Sequence, residues 1–153
     1  MKKTYLFLGL LVVVAMVNSC RKIQEDQLLK GLWVVEGLYF DTINTNQLTN
    51  FFPGHDATSK CCQYKINFDE DNLVIGYYLT NDSFTYVTTG LWELSAYNKL
   101  QLKLDKFANG EFEIKNKGIK KRHLISEKNI IPSLSGSLSG FDTTYTRIQL
   151  IKE

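Results

Sequence analysis

Leu100-Gln101-Leu102-Lys103-Leu104-Asp105 sets three leucines against three polar residues at strict period two. That spacing puts alternate side chains on opposite faces of an extended strand and buries one face. Downstream, Asn109-Gly110 predicts a tight hairpin turn opening a strand over residues 111–115, in which Phe112 and Ile114 share a face. Upstream, Tyr64, Ile66 and Phe68 alternate with Lys65, Asn67 and Asp69, and the acidic Asp69-Glu70-Asp71-Asn72 reads as the next turn. Strands are expected over residues 73–80, 83–89 and 91–97, divided by Asn81-Asp82 and Gly90. Residues 123–128 and 143–152 complete the set, with Ile148 and Leu150 in the core. The first strand is Gly31-Leu32-Trp33-Val34-Val35-Glu36-Gly37-Leu38-Tyr39-Phe40, rich in aromatic and β-branched residues and apolar on both faces.

These are about eight strands with no convincing amphipathic helix among them. Nearly every strand joins the next through a tight turn, whereas a Greek-key sandwich needs several long crossings. The expected fold is therefore all-β: an eight-stranded antiparallel up-and-down barrel, just wide enough to be filled by side chains or to hold one small ligand. Two connections are long. Residues 41–60 carry Phe51-Phe52 and the turn pair Pro53-Gly54, and connections of this length are often lids or binding loops. The other contains Ser133-Leu134-Ser135-Gly136 followed by Ser137-Leu138-Ser139-Gly140, a duplication with linker composition.

The N-terminus has the three parts of an export signal: basic Lys2 and Lys3, an uncharged run, and small Ser19 before a cysteine. Val17-Asn18-Ser19-Cys20 resembles a bacterial lipobox, which implies cleavage before Cys20 and a lipid on its thiol. The run is closed by Asn18 and Ser19 and followed by Arg21-Lys22, short of the roughly 20 apolar residues a transmembrane helix needs. The chain thus reads as residues 1–19 signal peptide, 20–30 tether and 31–153 barrel. By resemblance to sorting rules, Arg21 after the cysteine favours the outer membrane. The formal charge of +2 belongs to Lys2 and Lys3, so the mature chain is balanced and offers no case for a nucleic-acid partner. No cofactor is expected. Of the remaining cysteines, Cys61 and Cys62 are adjacent, and with His55 and His123 they match no zinc spacing.

Gly31-x-Trp33, opening the first strand after a short polar lead, resembles the lipocalins, and more closely the lipocalin-like lipoproteins of Bacteroidetes. The resemblance covers the layout from about Gly31 to Lys152 and lacks the second and third motifs of classical lipocalins. It implies that Gly31 and Trp33 pack the closed barrel end, with Arg147 over the tryptophan. In that phylum Asp41-Thr42-Ile43 and Asp142-Thr143-Thr144 resemble O-glycosylation sites.

Two functions fit. In one, the barrel holds a small hydrophobic molecule, with Tyr39, Phe51, Phe52, Tyr77, Tyr78 and Tyr86 as candidate contacts, since apolar walls with a few phenols are what such pockets require. In the other, it is a surface interaction protein that presents residues 41–60, or the basic run Lys115, Lys117, Lys120, Lys121 and Arg122, to a protein, glycan or anionic headgroup. Catalysis has the least support: no Gly-x-Ser-x-Gly elbow follows a strand, and no phosphate loop or paired carboxylates stand out. If Cys20 is acylated, wild type incorporates labelled palmitate and Cys20→Ser does not; equal incorporation would reject the lipobox.

Overall fold

The computed structural model describes residues 28–40, 45–59, 62–80, 83–105, 107–127 and 145–153. The expected signal segment, Cys20, Cys61, the duplication at 133–140 and both glycosylation-like triplets lie outside the described residues. Eight antiparallel strands close into a barrel in chain order: β1 Gly31–Phe40, β2 Gln63–Phe68, β3 Leu73–Thr80, β4 Ser83–Ala96, β5 Lys99–Leu104, β6 Ala108–Asn116, β7 Lys121–Ser126 and β8 Thr146–Lys152. One helical turn, α1 Leu48–Phe51, lies in the first long connection. The β1 start, the turns at 69–72, 97–98 and 117–120, and the β8 end mark one rim. The β1 end with the first long connection, the β3–β4 and β5–β6 reversals, and the β7 end mark the other.

Alternation fills the interior. Leu100, Leu102 and Leu104 of β5, Phe112 and Ile114 of β6, Leu124 of β7 and Ile148 and Leu150 of β8 are all at most 1% exposed. The first strand is apolar on both faces because it changes phase. Its pairing with β8 slips between Val35 and Gly37, leaving Glu36 as an extra residue. Trp33 and Val35 point inward before this bulge, Leu38 and Phe40 after it, and all four are buried.

Two local expectations give way to tertiary packing. The two strands expected over 83–89 and 91–97 are one, Ser83–Ala96, because Gly90 pairs with Val74 of β3 and Leu104 of β5 at the point where β4 passes between these neighbours. A Cβ at Gly90 would collide with the Lys103 carbonyl and lie 2.9 Å from the Leu104 Cα, so only glycine lets the backbones come this close. Asn109-Gly110 is not the turn. It lies inside β6, paired with Lys103 and Leu102, and the chain reverses at 105–107 instead. Phe107 in that turn is fully buried, and burial of a phenylalanine outweighs the local preference of an Asn-Gly pair.

At the first rim, Gly31 has φ 106, a conformation costly for residues with a Cβ. Trp33 is wholly buried behind it. The cation over its ring is Arg122, at 5.4 Å, with the Lys152 ammonium at 5.6 Å. The resemblance assigned this place to Arg147, and the register explains why it goes elsewhere. Antiparallel pairing sets Lys152 opposite Trp33 and puts Arg147 opposite Tyr39, near the far rim. Arg147 faces outward there, its guanidinium 4.4 Å from the Tyr39 ring.

Gly90→Ala should cost about 1–3 kcal/mol or more, the range for overpacked interiors, measured as a shift in the urea midpoint at unchanged slope. An unmoved midpoint would mean that β4 and β5 are not in this contact.

Candidate functional site

The far rim, where an open barrel would admit a ligand, is closed by the first long connection. Asn46 ties this segment to β1: its Oδ1 accepts hydrogen bonds from the Leu38 and Leu48 amides, both at 3.0 Å, and its Nδ2 donates to the carbonyl of the bulged Glu36 at 3.1 Å. The Gln47 amide donates to the Leu38 carbonyl at 2.7 Å. The α1 turn that follows aims Phe52 into the barrel, where it is only 4% exposed. Its ring stacks on Tyr64 with centroids 4.1 Å apart and planes 13° from parallel, and lies 5.2 Å from Tyr78 and 6.3 Å from Phe107. Tyr64 and Phe107 are themselves 4.7 Å apart. The Tyr78 hydroxyl donates to the Pro53 carbonyl at 2.6 Å, latching the segment to β3, two strands away. Four aromatic rings, centred on Phe52, thus occupy this mouth.

Of the residues expected at a ligand cavity, Phe52 and Tyr78 belong to this cluster. Phe51 packs beside it, edge-on to Phe40 at 6.0 Å. Tyr39 and Tyr77 fall on the outer face, because alternation lets only one residue of each adjacent pair point inward. Burial, with Glu153 nearby, raises the Tyr77 phenol pKa. Tyr86 pairs with Tyr78 in the strand register, and its side chain lies outside the described residues. Tyr64 lies on the buried face expected from its alternation with Ile66 and Phe68, but its place at the mouth, and those of Phe107 and His55, were not anticipated. Phe107 was hidden by the Asn109-Gly110 turn signal.

His55 fills a gap in the sheet. Pairing of β1 with β2 ends at Val34 and Lys65, so the next β2 amide, that of Tyr64, has no β1 carbonyl opposite it. It donates instead to His55 Nδ1 at 3.1 Å. The imidazole therefore has to be neutral, with its proton on Nε2, which is buried and meets no hydrogen-bond acceptor in good geometry among the described residues. Burial lowers the His55 pKa from 6.5, and the nearby Val35 carbonyl and Asp56 oppose this only in part. His123 is lowered too, by burial and then by Arg147 and Lys117. Among the described residues no group of three or more His, Cys, Asp or Glu could hold a metal ion.

Two grooves run along the outside of the barrel. One, of about 540 Å³, is lined by Asn72, Leu91, Trp92, Gln101, Lys103 and Asn109 among others. The second, of about 710 Å³, shares Gln101 and Asn109 and adds Glu111, Glu113, Ile125 and Glu127. Their shared residues join them into a concave band over β4 to β7.

The site and fold together define a closed antiparallel barrel with a plugged mouth and an outer band lined by carboxylates and amides. The chain matches no protein-family model, and no curated protein or solved structure is significantly similar to it.

A histidine whose pKa is lowered by folding contributes stability that is complete above its unfolded value near 6.5 and is lost as pH falls toward the folded value. The melting temperature should therefore drop between pH 7 and pH 5. His55→Asn, which keeps an acceptor for the Tyr64 amide but cannot titrate, should flatten that drop to the part due to His123. An identical pH profile in the variant would remove His55 from this role.

Proposed function

We propose that the protein is a cell-envelope lipoprotein, held at the outer membrane by acylated Cys20, whose lipocalin-like barrel is a packed scaffold acting through its outer surface. The observation that carries this reading is the stack of Phe52 on Tyr64 at 4.1 Å, with both rings buried where a ligand would enter. Its outer band of amides and carboxylates with Leu91 at its edge suits the hydrogen-bonding groups of a peptide or glycan. No catalytic step belongs to it.

A second reading keeps the small hydrophobic ligand. It is favoured by one feature: Phe52 is borne on a connection and not on a strand, so displacing one segment would open the mouth. The plug would then be a lid, and Tyr78 and Tyr64 the walls beneath it.

Titration with an apolar fluorophore such as N-phenyl-1-naphthylamine separates the two. Under the scaffold reading wild type shows no saturable site. Phe52→Ala loses about 3–5 kcal/mol of stability, as truncation of a core aromatic does, and gains probe binding in the space vacated. One equivalent bound by wild type, or a lipid retained in its native mass spectrum, would transfer the conclusion to the ligand carrier.

A further inference from the structure

The β6–β7 turn presents an apolar residue on a rigid support. Ile119 is 92% exposed, and a single exposed apolar side chain would need no explanation on its own. Here, however, the backbone beneath it is tied down on two sides. Arg122, buried at 7% exposure over Trp33, donates from one Nη to the Gly118 carbonyl at 2.7 Å, the Lys121 carbonyl at 2.9 Å and the Ile119 carbonyl at 3.4 Å. The Lys152 amide at the end of β8 donates to the Lys120 carbonyl at 2.8 Å. Lys117 and Lys120 flank the isoleucine, both exposed and neither in an ion pair among the described residues. In the neighbouring β4–β5 turn Tyr97 is 74% exposed, and that turn is fastened to β6 by the Ile114 amide on the Asn98 carbonyl at 2.7 Å.

We infer that this rim is a docking surface for an anionic phospholipid bilayer. Ile119 and Tyr97 enter the headgroup layer, and Lys117 and Lys120 face lipid phosphates. Exposed apolar side chains with basic neighbours are the pattern that binds at an interface, and each lysine near an anionic surface adds to the attraction. The inference rests on the anchored reading for its reach: Leu28 and Leu29 are buried, so the tether left is residues 20–27, which span at most about 29 Å, and the barrel begins at this same rim with Gly31. The acidic turn of Asp69, Glu70 and Asp71 joins β2 to β3, diametrically across the closed barrel. Repulsion there tilts the barrel onto its β6–β7 edge, and the plugged mouth then faces away from the membrane.

Lysine acetylation read by mass spectrometry tests this on the full chain, with phosphatidylcholine vesicles compared with vesicles that also contain phosphatidylglycerol. Lys117 and Lys120 should lose at least about fivefold in labelling on the anionic vesicles, the scale expected for two lysines at such a surface, while exposed Lys103 does not change. Ile119→Asp, at a position with no packing to lose, should restore the labelling of both lysines without releasing the protein from the vesicles. Equal labelling on both vesicle types in vesicle-bound protein would overturn the docking surface and leave the anchor standing. Protein whose intact mass carries no lipid would overturn the anchor, and the same labelling on vesicles added to it would still decide the surface.

Discussion

An eight-stranded barrel of this size has to be filled, and here the filling comes from both rims. Trp33 occupies one end beneath Arg122 and Lys152; Phe52 occupies the other on Tyr64, Tyr78 and Phe107. Between them Leu, Ile and Phe side chains from β5 to β8 are buried to the last few per cent. Each large apolar side chain brought in contributes about 1.5–3 kcal/mol, so the first long connection is part of the core and not an ornament on it. The hydrogen bonds of Asn46, the latch from Tyr78 and the imidazole of His55 in the β1–β2 gap all hold that connection in place.

Local alternation carried most of the architecture. The Leu100, Leu102, Leu104 series and the Tyr64, Ile66, Phe68 series each give the right face, because period two is a property of a strand alone. What could not be read locally are the places where two strands negotiate. The bulge at Glu36 is invisible in a segment that is apolar on both faces, yet it decides that Trp33 and Leu38 share the interior. Gly90 looks like a strand end until its approach to the Lys103 backbone is known. Asn109-Gly110 satisfies every local rule for a turn and is overruled by a buried Phe107 two residues earlier.

The candidate site was legible in its residue types and less so in their grouping. Phe52 and Tyr78 belong together, while Tyr39 and Tyr77 lie on the outer faces of β1 and β3. The assignment of Arg147 failed for a reason of register: antiparallel pairing puts it beside Tyr39, and the inward cation at the tryptophan end comes from β7. The basic run was read as a surface for a protein, glycan or anionic headgroup from its charge alone. Its arrangement, with one buried arginine bracing the turn that two exposed lysines flank, appears only in three dimensions.

Closure of the cylinder joins β1 to β8, elements separated by almost the whole domain, and this ladder runs from Trp33–Lys152 to Phe40–Thr146. The pairing of β1 with β2 covers only Gly31 to Val34. Apart from the bonds of Glu36 and Leu38 to Asn46 and Gln47, the second half of the first strand therefore waits for the final residues of the chain before its ladder can form. Such long-range pairing is slow and leaves an unsatisfied edge in every incomplete product. A polypeptide with this wiring cannot close its cylinder before its last strand has been made, so synthesis of the whole domain precedes completion of its sheet.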